Sequence, residues 1–206
     1  MIELFTSALV TFLVVIDPPG CAPIFASLTS GAAAAERRRM AVRSALIAWG
    51  VLMFFALLGE PLLRSLGIQL ASFRIAGGIM LFAIALDMVF EKRTERREER
   101  ASQVEQEDVS VFPMAIPMIA GPGSIASAML LTARAKGTVE SVVVLGAMTS
   151  VILLTMGSLL IAGPLMRLIG HRLEAMVTRI LGVILAALAA QFVVDGLKES
   201  FPAVLA

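Results

Sequence analysis

The sequence predicts an all-α integral membrane protein whose six transmembrane helices form two inverted-topology repeats of three, with the first and fourth helices discontinuous. Three observations predict it: apolar runs too long for a water-soluble core, a densely charged segment that divides them, and proline- and glycine-rich breaks that recur at one fixed offset. Of the 206 residues, 58% are hydrophobic and only 16% charged, with a mean hydropathy of +0.91. Soluble domains are roughly half apolar and carry about 25% charged residues.

Apolar runs of the length that crosses a bilayer, about 17 to 25 residues, fall near 4–29, 42–63, 68–89, 111–133, 139–166 and 175–197. The chain opens Met1-Ile2-Glu3 and stays apolar past residue 29, without the basic start and small-residue cleavage site of a signal peptide. The first run is therefore expected to remain in the protein. Residues 91–108, EKRTERREERASQVEQED, are charged in both signs and can neither enter lipid nor bury a face. They read as a cytoplasmic linker inside a single membrane domain, 1–206, between a first three-helix repeat, 1–90, and a second, 109–206.

With six spans, the loops after spans 1, 3 and 5 share one side. They carry Arg37, Arg38, Arg39, Arg43, Lys92, Arg93, Arg96, Arg97, Arg100, Arg167 and Arg172, whereas the opposite side has Arg64, Arg134, Lys136 and Lys198. This excess places the odd loops in the cytoplasm and both termini outside.

An offset of 103 residues superposes Pro19-Gly20 on Pro122-Gly123, and Pro61-Leu62-Leu63-Arg64 with Gly67 on Pro164-Leu165-Met166-Arg167 with Gly170. Two residues of insertion later, Arg74-Ile75-Ala76-Gly77 falls on Arg179-Ile180-Leu181-Gly182. A half with three spans begins and ends on opposite sides, so its copy is inserted upside down, as in many secondary transporters.

Span 1 contains Asp17-Pro18-Pro19-Gly20-Cys21 with Pro23 beyond, and span 4 contains Pro117 and Gly121-Pro122-Gly123-Ser124. Proline removes an amide donor and clashes with the preceding turn, and glycine admits backbone angles that other residues avoid. Both helices are expected to open near the midplane, at Asp17–Gly20 and Gly121–Gly123. Unwound backbone survives in a bilayer only against protein or a wet cavity. Half-helix N-termini favour an anion and exposed carbonyls a cation, so a zwitterionic amino acid suits the pair. The competing reading is that these residues only kink helices for packing.

Asp17 is the most conspicuous residue, because a carboxylate at mid-bilayer is costly and usually has a task. It can bind a coupling cation, carry a proton or hold a substrate ammonium, or else it caps a helix. Cys21 either lines the cavity or packs as a small buried residue. Ser124 and Ser127 follow the second break and offer hydroxyls or close helix packing. Arg74 and Arg179 lie just inside the third span of each half, where snorkelling competes with a role as cavity lining or charge partners. His171 reads as a loop residue, and Asp195 and Glu60 as interfacial. One cysteine and one histidine give neither an internal disulfide nor a metal site. No nucleophile elbow, HExxH, P-loop or GxGxxG with an acidic partner is present, so an enzyme and an ATP-driven pump are not expected. A net charge of +1 points to no nucleic-acid partner.

These residues carry a resemblance to the MarC (UPF0056) family of six-span bacterial and archaeal inner-membrane proteins. It rests on DPPGCAPIFASLT at Asp17–Thr29, SFRIAGGIMLFAIALDM at Ser72–Met88, PMIAGPGSI at Pro117–Ile125 and RILGVILAALAAQFVVDGL at Arg179–Leu197. The resemblance implies a secondary carrier for small neutral amino acids such as glycine or alanine, driven by a proton or sodium gradient, with no cofactor. Its motifs fall on Asp17, Pro18, Gly20, Pro23 and Phe25, and on Gly121, Pro122, Gly123, Ser124 and Ile125. One position departs: Cys21 stands where the family commonly has asparagine, a stronger hydrogen-bonding group. A channel-like conduit and a non-transporting membrane scaffold linked to efflux are the alternatives, and a homo-oligomer is compatible with the sequence.

Overall fold

The computed structural model describes residues 1–90, 92 and 108–201, with backbone alone at 165–172 and 174. Of the 91–108 linker, only Lys92 and Asp108 fall within it. Among the described residues the chain is helical throughout: α1 (Ile2–Ile16), α2 (Pro18–Leu28), α3 (Ala34–Ser65), α4 (Leu70–Val89), α5 (Ser110–Ile119), α6 (Pro122–Arg134), α7 (Thr138–Leu160) and α8 (Ala162–Ser200). By length and composition five stretches can cross a membrane, with Ile2–Leu28 counted as one. The pair α5 and α6, bent by 54°, makes a sixth if taken as a single span.

Several buried hydroxyls in these apolar helices are satisfied by their own backbone. Thr11 donates to the Ser7 carbonyl at 2.8 Å, Thr29 to Phe25 at 2.7 Å, Ser44 to Met40 at 2.8 Å and Thr155 to Val151 at 2.8 Å. Each polar side chain is thereby buried without an orphaned group. Helix α3 ends where Gly67 takes φ 70°. The Ile68 amide reaches the Leu63 carbonyl at 2.9 Å and the Gly67 amide reaches Arg64 at 3.1 Å, the paired bonds of a Schellman stop.

The second half departs here from the sequence expectation. The fifth span was expected over 139–166, but α7 stops at Leu160 and α8 starts at Ala162. Pro164 thus opens α8, in the first turn, where a missing amide costs nothing. Gly170 and His171, expected in or near a loop, lie inside α8, as do Arg167 and Arg172, whose side chains are outside the described residues. At 39 residues α8 is about 58 Å long, well beyond the hydrocarbon thickness, and its apolar part is Ala175–Ser200.

The two broken spans form the centre. Phe12, Val14, Ile16, Ile24 and Phe25 of α1 and α2 are buried, as is α6 from Ala126 through Leu131. Around them α3, α4, α7 and α8 turn Phe54, Leu57, Ile79, Leu86, Val142, Leu153, Ile180 and Val183 outward, as lipid-facing helices do.

Helices α4 and α8 meet along small residues. A side chain added at Gly78 would fall 2.8 Å from the Ala189 carbonyl oxygen, at Gly182 3.1 Å from that of Ala85, and at Gly196 3.0 Å from that of Ala71. Contacting positions fall along α4 as they rise along α8, so the helices run antiparallel. Close backbone approach through glycine is the usual device where lipid removes the hydrophobic drive between helices.

At one end of the bundle Arg43 pairs with Asp108 at 2.5 Å. Ser110, through its hydroxyl and amide, and Arg43 hold the Asp108 carboxyl below the usual carboxylate range. At the other end Arg74 pairs with Glu199 at 2.6 Å and Arg134 with Asp195. The bent pair α5–α6 starts beside Asp108 and ends at Arg134, so it runs from one end of the bundle to the other.

The seam predicts that Gly78→Val lowers stability by about 1–3 kcal/mol through overpacking. Gly146→Val, at a helical glycine with open space around its Cβ position, is expected to leave it within about 0.5 kcal/mol. Unfolding in detergent followed by intrinsic fluorescence measures both.

Candidate functional site

Asp17 is the whole of the first break. It is the only non-glycine with positive φ among the described residues (φ 59°, ψ 67°), ending α1 and capping α2. Asp and Asn tolerate this left-handed region better than other side chains. Its amide continues α1 by donating to Leu13 at 3.0 Å, and its carbonyl accepts the first rung of α2 from Cys21 at 3.0 Å. Pro18 and Pro19 bring no amide hydrogens, so the Val14 and Val15 carbonyls lose the donors a continuous helix would supply. The Gly20 amide donates to Asp17 Oδ1 at 3.2 Å. A side chain on Gly20 would stand 2.2 Å from Asp17 Oδ2, so glycine there is what lets the carboxylate sit over the helix end. Asp17 is 1% exposed. Pro23, inside α2, withholds a donor from the Pro19 carbonyl in turn.

Of the two readings of Cys21, its geometry matches the small buried residue. It is fully buried and its thiol donates to the Ile16 carbonyl at 3.4 Å, satisfying an oxygen at the end of α1.

The second break is longer and has no acidic cap. In α5 the residues before Pro113 and Pro117 leave helical angles, Phe112 at φ −127°, ψ 130° and Ile116 at φ −129°, ψ 122°. The bonds that remain span five residues, Met114 to Val109 at 3.2 Å and Ala120 to Ala115 at 2.8 Å. Gly121 is extended, and a side chain on it would lie 2.5 Å from the Pro117 carbonyl oxygen. The first rung of α6 is Ile125 to Gly121 at 3.0 Å, which leaves the Gly123 and Ser124 amides ahead of the ladder at the positive end of the helix. One turn on, the Ser127 hydroxyl is fully buried and has no hydrogen-bond partner, unlike the self-bonded hydroxyls of α1, α2, α3 and α7. An unpaired buried hydroxyl is costly enough to mark a position worth explaining.

The breaks adjoin. A side chain added at Gly123 would meet Val15 Cγ1 at 3.1 Å, Leu81 Cδ2 at 3.2 Å and Ile84 Cδ1 at 2.7 Å. Val15 is two residues before Asp17, so the negative end of α1, with its carboxylate, lies against the positive end of α6. Val15, Leu81 and Ile84 were not picked out from the sequence. Aliphatic residues within an apolar run carry no local sign that they close around a break that is distant in the sequence, 108 residues away in the case of Val15.

Two other candidates sit elsewhere. Arg74 is about 10 Å along α4 from Leu81 and is paired with Glu199, so the structure does not bring it to the breaks. Arg179 is exposed, three residues before the Gly182 contact with α4. Asp195, read as interfacial, joins Arg134, and that guanidinium also lies 4.8 Å over the Phe192 ring.

A cleft opens at each end. One, about 470 Å³, is lined by Ala56, Leu57, Glu60, Pro61, Arg64, Thr132, Ala133, Ser141 and Leu145. The other, about 380 Å³, is lined by Ala34, Arg37, Arg38, Leu159, Leu160, Gly163 and Pro164. Leu159, Leu160, Gly163 and Pro164 stand 103 residues after Ala56, Leu57, Glu60 and Pro61, and Ser141 stands 103 after Arg38.

Residues 2–201 match the family described as MarC family integral membrane protein. The chain belongs to the MarC family. Its relatives are spread over bacteria and archaea. It is 32% identical over 200 residues to a UPF0056 membrane protein of Archaeoglobus fulgidus, covering 96% of this chain and 94% of that one. Against the UPF0056 membrane protein YvbG of Bacillus subtilis it is 32% identical over 206 residues, with 98% of both chains covered. Against the UPF0056 membrane protein YhcE of Escherichia coli it is 33% identical over 193 residues, covering 92% and 90%. No solved structure matches this MarC-family chain.

The cap geometry separates charge from hydrogen bonding at Asp17. Asp17→Asn keeps both the left-handed backbone and the cap and is expected to hold stability within about 0.5 kcal/mol. Asp17→Ala loses both, at about 1–2 kcal/mol. Thermal unfolding in detergent reads the difference; an equal loss in both variants would place the weight on the charge.

Proposed function

We propose that this chain is a secondary transporter of small neutral amino acids or similar zwitterionic solutes, coupled to a proton or sodium gradient. The observation that carries the proposal is the meeting of the α1 end with the start of α6 at Val15 and Gly123. The substrate ammonium would be held by the α1 carbonyl end and Asp17. Its carboxylate would be held by the Gly123 and Ser124 amides, with Ser127 supplying a hydroxyl. Opposed half-helix ends of this kind recognise both charges of a zwitterion without a full buried countercharge for each. Val15, Leu81 and Ile84 press on the same point, which favours a side chain no larger than that of glycine or alanine.

In this reading the halves are inverted repeats, and the two clefts are the mouths of an alternating-access path. Support comes from the antiparallel α4–α8 seam and from cleft linings that correspond at the repeat offset. The protein would lie in the bacterial or archaeal cytoplasmic membrane with both termini outside. A second reading, a non-transporting scaffold, is favoured by one observation: the Asp17 carboxylate is already engaged in capping Gly20.

Uptake of labelled glycine or alanine into proteoliposomes under an imposed proton or sodium gradient decides between them. Gradient-dependent accumulation is expected. Asp17→Asn should abolish or uncouple it, and Ser127→Val should weaken apparent affinity by up to about tenfold, the worth of one hydrogen bond. If neither gradient nor exchange moves any amino acid into liposomes holding folded protein, the scaffold reading stands instead.

Orientation has its own test. In a Cys21→Ala background, a cysteine at Lys136 should react with an impermeant maleimide added to whole cells, and one at Arg37 only after lysis. The reverse pattern overturns the assignment of sides.

A further inference from the structure

Between Arg43 and Glu60, α3 carries sixteen residues without a charge, so those two positions lie about 25 Å apart along the axis. This is close to the hydrocarbon thickness and sets Arg43 at headgroup depth on one side and Glu60 on the other. On the Arg43 side a groove of about 460 Å³ is lined by Ala35, Arg38, Arg39, Val42, Arg43 and Leu46. Its upper part is guanidinium and its lower part aliphatic, with Leu46 62% exposed. Arg38 and Arg39 form no salt bridge among the described residues, Arg39 acting on Asp108 only at longer range, whereas Arg43 is directly paired with Asp108.

We propose that this groove is a binding site for one anionic phospholipid of the adjacent leaflet. Its phosphate is held by Arg38 and Arg39, and an acyl chain descends along Val42 and Leu46. The charge calls for a net anion, because a zwitterionic headgroup brings its own ammonium to the same place. The depth calls for a lipid, because the groove continues downward as exposed aliphatic surface, which a soluble phosphate would leave uncovered. The second half supplies an internal contrast. At the repeat offset, Arg37, Arg38 and Arg39 correspond to Glu140, Ser141 and Val142, so the matching helix start at the opposite end has no such cation pair. Arg38 also lines the cleft of about 380 Å³, but the lipid site is read by quenching and does not require transport.

The sole tryptophan, Trp49, gives a local reporter. It lies seven residues from Val42 on the same face of α3, is 37% exposed, and donates to Thr149 at 3.0 Å. The protein is reconstituted in phosphatidylcholine vesicles and titrated with phosphatidylglycerol carrying brominated acyl chains, or with brominated phosphatidylcholine. Wild type is expected to show Trp49 quenching at far lower mole fractions of the anionic lipid. Arg38→Gln/Arg39→Gln is expected to lose that preference by about 25-fold, two surface guanidiniums' worth, with thermal stability in phosphatidylcholine unchanged. Arg64→Gln/Lys136→Gln, at the other end, should keep it. Equal quenching by the two lipids in wild type overturns the proposal, as does an undiminished preference in the Arg38/Arg39 variant. Relief of quenching by millimolar inorganic phosphate would show a site for the free anion and would overturn it as well.

Discussion

In hydrocarbon a backbone amide or carbonyl has no solvent to bond, and the rest of this structure follows from the two places where the chain withholds those bonds from itself. Proline at 18, 19, 113, 117 and 122 removes donors inside spans that lipid would otherwise force to be continuous. Such segments have to be enclosed. The two broken spans accordingly occupy the centre, and the four unbroken helices around them turn their aliphatic faces outward. Burial here is less a matter of hydrophobicity, which is everywhere, than of where irregular backbone can be tolerated.

The two breaks solve the same problem differently. At Asp17 the chain supplies its own acceptor, a carboxylate over the Gly20 amide, with Gly20 lacking the side chain that would collide with it. At Gly121 it supplies none, and the amides of Gly123 and Ser124 face forward from a helix start without a side-chain cap, closed over by the aliphatic Val15, Leu81 and Ile84. One break is thus negative and internally capped, the other positive and uncapped. That asymmetry is the feature on which the proposed recognition of a zwitterion rests.

Much of this was legible in the sequence. The apolar helical character and both breaks could be read because proline and glycine act locally, and their effect does not depend on what packs against them; the charged divider lies almost wholly outside the described residues. Asp17 as a cap was one of two readings the sequence left open; the geometry at Gly20 shows the cap without deciding whether the carboxylate has a second task. The boundary between α7 and α8 was misread because a proline such as Pro164 is equally at home after a helix end and in a first turn. Arg74 was a plausible charge partner for the breaks until its actual partner, Glu199, appeared 125 residues away. Pairings at that distance, like Arg134 with Asp195 or Val15 with Gly123, leave no periodic trace in a chain where nearly every neighbour is apolar.

The seam between α4 and α8 has a mechanical character of its own. At Gly78, Gly182 and Gly196 what faces the partner helix is main chain, with the carbonyls of Ala189, Ala85 and Ala71 opposite. Beside each carbonyl a side chain of the partner helix fills the space that the glycine leaves: Val193 Cγ2 lies 2.7 Å from the Cβ position of Gly78, Met88 Cβ 2.9 Å from that of Gly182 and Ile75 Cγ1 2.7 Å from that of Gly196. Helices α4 and α8 are therefore keyed together at three levels, and sliding one along the other requires each of those side chains to be lifted from the notch that a glycine cuts for it.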